Sequence, residues 1–80
     1  KVRSAAMHSW VKANVKGGDI PTQLSTDQSA EVRRLVAQYA NIIRDRLGPA
    51  FAQPIIDNLR ADAAWSVRYH VAKSLGSSAA

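Results

Sequence analysis

Two histidines and six carboxylates are the side chains best able to do chemistry in this 80-residue chain, and their spacing keeps them apart. His8 and His70 fall in different segments. Neither has a carboxylate three or four residues on, where a helix would pair the two on a metal. The carboxylates are scattered, each with a capping or surface role open to it, and no two stand out for acid–base work. The serines form no Gly-x-Ser-x-Gly elbow. No Gly-Lys-Ser/Thr follows Gly17–Gly18, so that pair reads as a break and not as a phosphate loop. Cysteine is absent, which removes disulfides and cysteine metal sites. The expectation is a protein that is not an enzyme and takes no cofactor and no metal.

A chain of this length holds one small domain and buries only about 60% of its unfolded surface. Its 46% apolar and 21% charged residues are ordinary for a folded protein. Apolar runs reach three residues, far below the roughly 18 of a membrane span. The first residues do not read as a signal peptide. A reducing compartment is the expectation, cytoplasmic and also nuclear. The net charge of +5 favours an acidic partner: nucleic acid, an anionic membrane or an acidic protein. The cations sit singly or in pairs, such as Arg33–Arg34, as on solvated helix faces.

The elements that must carry these residues are helical. Gly17–Gly18, Gly48–Pro49 and Gly76 punctuate the chain. Lys1–Lys16 has no internal breaker. Asp19–Leu24 is short, with Pro21 near its start, where proline is tolerated. In Ala30–Leu47 the residues Val32, Leu35, Val36, Tyr39, Ile43 and Leu47 make one apolar stripe. Phe51, Ile55 and Leu59 step by four in Pro49–Arg60. Ala64, Val67, Val71, Ala72 and Leu75 form the stripe of the last segment. Asp27, Ser29 and Asp62 are candidate N-caps, and Gly48 and Gly76 candidate helix ends. No strand pattern appears, so the chain reads as all-α with five helical segments.

Val-Arg occurs three times, at 2–3, 32–33 and 67–68. Aligned on it, Ala6, Val36 and Val71 share a position, as do Met7, Ala37 and Ala72, and Trp10, Ala40 and Leu75. Asp27 and Asp62 each precede their Val by five residues, and Pro54 precedes Asp62 by eight. These residues resemble the HEAT repeat, an antiparallel helix pair with proline in the first helix, aspartate in the turn and Val-Arg opening the second. The resemblance implies an α-solenoid of about two and a half repeats. Residues 1–17 would be the second helix of a partial repeat, 19–47 a repeat with a short first helix, 49–76 a full repeat and 77–80 a tail. It also implies that Arg33 and Arg68 are inter-repeat residues, with Asp62 meeting Arg33 and Asp27 meeting Arg3. Pro54, too deep for the first turn of its helix, should kink it. A chain opening inside a repeat is expected to be a piece of a longer solenoid. Its bare end faces should make it marginally stable or self-associating.

Asp62, Trp65, Val67, Arg68 and Tyr69, followed by Val71–Leu75, are similar to a signature in repeats of the scaffolding A subunit of protein phosphatase 2A. That resemblance implies a non-catalytic scaffold holding phosphatase catalytic and regulatory subunits on a ridge of turns. The ridge would be Asp27, Gln28 and Ser29 in one repeat and Asp62, Ala63, Ala64 and Trp65 in the next. Tryptophan before Val-Arg also occurs in tubulin-binding TOG modules, the second choice. Basic HEAT-like DNA glycosylases supply a nucleic-acid-binding alternative, though they build their pocket from more helices. Trp65 is either a partner anchor or a ring lying over its helix turn or the next repeat. Trp10 is on the apolar stripe and reads as core.

Overall fold

The computed structural model describes residues 2–15 and 17–79, with side chains described for 3–15 and 17–76. Lys1 and Lys16 of the first segment and Ala80 of the expected tail lie outside the described residues. Six helices and no strand occur among the described residues: α1 (Val2–Lys12), α2 (Asp19–Leu24), α3 (Ala30–Gln38), α4 (Ala40–Leu47), α5 (Pro49–Arg60) and α6 (Trp65–Ala79).

Three boundaries depart from the sequence reading. The first helix stops before the glycine pair, because Asn14 takes a left-handed backbone (φ 57°). Asn is one of the few residues that adopt it readily. The Asn14 N–H then reaches Val11 O and the Val15 N–H reaches Trp10 O, each at 3.2 Å, a Schellman ending. Arg46 completes that end by donating to Trp10 O and Val11 O at 2.9 and 2.7 Å.

The expected single helix over Ala30–Leu47 is two, broken at Tyr39 (φ −103°, ψ 17°). The Tyr39 N–H turns to Val36 O, three residues back. The Asn41 N–H donates to Ser74 Oγ of α6 at 3.1 Å, and that hydroxyl donates to Asn41 Oδ1 at 2.9 Å. A side chain inserted into the helical ladder accounts for the break. Lastly, α6 does not end at Gly76 but continues to Ala79, so 77–79 are helix and not tail. Gly48 does end α4, at φ 83°, where a side chain would be strained.

One apolar cluster joins all six helices. It holds Met7 and Trp10 of α1, Leu24 of α2, Val32, Val36 and Ala37 of α3, and Ala40 and Ile43 of α4. From α5 and α6 come Ala52, Ile55, Ile56, Leu59, Val67, Val71 and Leu75. Each fully buried aliphatic side chain contributes about 1.5–3 kcal/mol. α6 packs most extensively on α3, and α5 on α4 and α6. Of the aligned positions, Trp10, Ala40 and Leu75 are all buried. Phe51 and Ala72 do not join the core: Phe51 is 79% exposed, and Ala72 is exposed. The buried face of α5 runs instead through Ala52, Ile55, Ile56 and Leu59. Pro54 lies inside α5 and is exposed. No helix among the described residues is long and apolar enough to cross a membrane.

Candidate functional site

The turn before α3 and the turn before α6 share one construction. Asp27 Oδ1 accepts the Ser29 N–H at 2.8 Å, and Asp62 Oδ1 accepts the Ala64 N–H at 2.9 Å. Each aspartate thereby holds its own turn in the compact form that leads into a helix. Ser29 stands at the N-cap of α3, but its hydroxyl makes no cap bond. The arginine six residues after each aspartate folds back on it: Arg33 donates to Asp27 O and Arg68 to Asp62 O.

Arg33 also joins the two turns. Its Nε lies 2.6 Å from Asp62 Oδ2 and its Nη2 3.2 Å from Asp62 Oδ1, while Nη1 donates to Asp27 O and Gln28 O. The bidentate pairing matches the planar fork of guanidinium to carboxylate. Arg3 makes the corresponding ion pair with Asp27 through a single contact, Nε 2.7 Å from Oδ2. The two pairs differ in shelter. Arg33 and Asp62 side chains are 19% and 8% exposed, whereas Arg3 is 59% exposed over an equally sheltered Asp27. Burial works against the charged form of Asp62. The Arg33 hydrogen bond, the Ala64 N–H and the charges of Arg33 and Arg68 outweigh it and hold the carboxyl below its usual 3.8.

The residues expected to form a ridge are therefore brought side by side through Arg33. Gln28, Ala63 and Trp65 are exposed, and Asp27, Ser29, Asp62 and Ala64 are half-buried. Trp65 is 69% exposed, so it does not lie under another element. Its ring meets that of Tyr69, 51% exposed, edge-on at 6.2 Å. Tyr69 in turn meets His70 at 5.3 Å, and Lys73 Nζ lies 5.9 Å from the Tyr69 ring centre. Trp65, Tyr69 and Lys73 step by four along one helix, a spacing visible in the sequence that marks a face of α6. Pro54 sits away from this face, lining a groove with Thr22, Ser25 and Thr26 of the α2 region.

His70, for which the sequence suggested no role, stacks edge-on with Tyr69. Burial first, then the charges of Arg34 and Lys73, lower its pKa from 6.5. His8 pairs with Tyr39, Nδ1 to Oη at 3.2 Å. Among the described residues no three His, Asp or Glu side chains gather. No family model, curated protein or solved structure matches the chain.

Proposed function

We propose that the chain is a HEAT-like protein–protein scaffold without chemistry of its own, working in the cytoplasm or nucleus. In this reading a partner seats on the turns around Asp27–Ser29 and Asp62–Trp65, with Trp65 as anchor. The observation that carries it is Trp65 itself. A tryptophan left 69% exposed at the first turn of a helix is placed on turns that Arg33 has already fixed in register. A rigid aromatic anchor loses little conformational freedom on binding, which is why tryptophan dominates interface hot spots.

The solenoid reading draws support from the repeated Asp–Arg construction and from the order of contacts. α1 packs on α3 and α3 on α6, the three helices that carry Val-Arg. By resemblance to the A subunit of protein phosphatase 2A, the partners are phosphatase catalytic and regulatory subunits. The test is capture from a eukaryotic lysate on the immobilised chain, wild type against Trp65→Ala, blotted for the phosphatase catalytic subunit and for tubulin. Catalytic subunit retained by the wild type and lost with the variant supports the reading. Tubulin in its place favours the TOG-type alternative. Retention unchanged in the variant removes Trp65 from the interface.

A further inference from the structure

Between the α3–α4 junction and α6 lies an open groove of about 320 Å³, lined by Gln38, Asn41, His70, Lys73 and Ser74. All five lining residues carry a polar group: two carboxamides, an imidazole, an ammonium and a hydroxyl. No described lining residue is a carboxylate. Ser74 fixes the Asn41 side chain by donating to its Oδ1, which leaves the Asn41 amide NH2 as that side chain's donor. Arg34 stands one turn before Gln38 on α3, and its charge reaches His70 together with that of Lys73. Asp45, one turn beyond Asn41 on α4, does not line the groove.

One lining cation, Lys73, thus stands with carboxamide and imidazole donors around a space wide enough for one small anion, and Arg34, outside the lining, adds its positive field at His70. Carboxylate offers two oxygens, whereas donors arriving from both sides of a groove suit the three terminal oxygens of a phosphate monoester. We propose that this groove is an oxyanion site that takes a phosphate monoester. The ester is carried on a side chain of a partner protein or on a small molecule. The site is separate from the turns that carry Trp65, and its test does not depend on them.

The chemistry is self-consistent at neutral pH. Burial and the two neighbouring cations keep His70 neutral, so its imidazole offers one N–H without adding a charge. A dianion in the groove reverses the field at the ring. His70 must then bind its proton more tightly, and by linkage the dianion must bind the protonated ring more tightly, a gain bounded at low pH by protonation of the phosphate itself at about pH 6.

The test is a ¹⁵N–¹H titration of the chain with inorganic phosphate at constant ionic strength, followed by pH titration of the histidine rings. Expected are saturable shifts at Gln38, Asn41, His70 and Lys73. The His70 midpoint should rise by about one unit, a tenfold gain in proton affinity. His8 does not line the groove and serves as the reference. Lys73→Gln should weaken phosphate about tenfold, as loss of one charge-assisted bond requires, and Arg34→Gln, which removes only a nearby charge outside the lining, should weaken it less. A second arm compares a short phosphoserine peptide with inorganic phosphate. Tighter binding of the peptide assigns the site to a phosphoprotein, and equal binding assigns it to small phosphate esters. Shifts reproduced by chloride, shifts spread equally over Arg3, Lys12 and Arg60, or a His70 midpoint that phosphate leaves in place would overturn the proposal.

Discussion

Asp62→Ala is the sharpest probe of the turn construction. The side chain makes three bonds: two to Arg33, at 2.6 and 3.2 Å, and one from the Ala64 N–H at 2.9 Å. An exposed ion pair contributes about 0.2–1 kcal/mol. Removing one partner of a buried pair costs about 3–5 kcal/mol, because a charge is left without compensation. With 19% and 8% exposure the Arg33–Asp62 pair lies near the buried end, but Arg33 retains the Asp27 and Gln28 carbonyls. A loss of about 2–3 kcal/mol follows for Asp62→Ala. In urea, with a slope of about 1 kcal/mol/M for so small a domain, the midpoint should drop by about 2–3 M. Asp62→Asn keeps an acceptor for the Ala64 N–H and should lose about half as much, which keeps the comparison measurable if the alanine variant is unfolded. Arg3→Ala, on the pair with a 59% exposed cation, should lose no more than about 0.5 kcal/mol. The sign of the pH dependence is fixed. Asp62 has a lowered pKa in the folded state, so its contribution is whole above the unfolded-state value near 3.9 and fades as pH falls through the folded one. The gap between wild type and Asp62→Asn should therefore close in acid. Equal midpoints for Asp62→Ala and Arg3→Ala, or a gap that does not narrow as pH falls below 3.8, would refute this reasoning.

Ser74→Ala leaves the Asn41 N–H without its acceptor and should cost about 1–2 kcal/mol, read as faster hydrogen exchange at Asn41 than at Ile43. Arg46→Ala removes two bonds to the α1 carbonyls and the guanidinium 4.9 Å from the Trp10 ring centre. It should cost about 1–2 kcal/mol and shift tryptophan emission to the red, with Trp65→Phe as background to isolate Trp10. Self-association through the α6 face should appear in sedimentation equilibrium as a mass that rises with concentration and returns to the monomer value in Ala72→Glu. A monomer at every concentration would contradict it.

The helical character and the repeated turn were legible because both rest on local repetition, whereas the ion pairs of Asp62 with Arg33 and Asp27 with Arg3 join separate segments and were expected only from the resemblance to the HEAT repeat. Apolar spacing names a helix, and a motif recurring at Asp27 and Asp62 implies the same turn twice. The break at Tyr39 was not legible, since its cause is a hydroxyl 33 residues away from Asn41. The end of α1 was legible in principle, because Asn tolerates a left-handed backbone, but the glycine pair after it gave the stronger signal. Phe51 kept the four-residue step of Ile55 and Leu59, yet it lies in the first turn of α5, where the face that meets the core is carried by Ala52. The groove at His70 had no local signature. Its donors come from three helices, and only the packing of α6 on α3 and α4 brings them together.

The contrast between Ala37 and Ala72 bears on what α6 is for. Both stand five residues after the Val of their Val-Arg pair, so they occupy the same place on their helices. Ala37 is fully buried, and Asn41, one turn further along the chain, bonds to Ser74 of α6. The corresponding residues of α6 are Ala72 and Gly76, and both are exposed. Small residues at helical spacing let a second helix approach closely, and α6 carries that feature with no described element against it. Single apolar residues in water need no explanation. Trp65, Tyr69, Ala72 and Gly76 are different, because they form a stripe along one side of the helix. Within that stripe the positions divide by size. Ala72 and Gly76 make a flat surface that fits another helix, while Trp65 stands at its end on the turn tied by Arg33. A ring left 69% exposed at the rim of that face and edge-on to Tyr69 has room for contact with another chain, which is what the proposed anchor role requires.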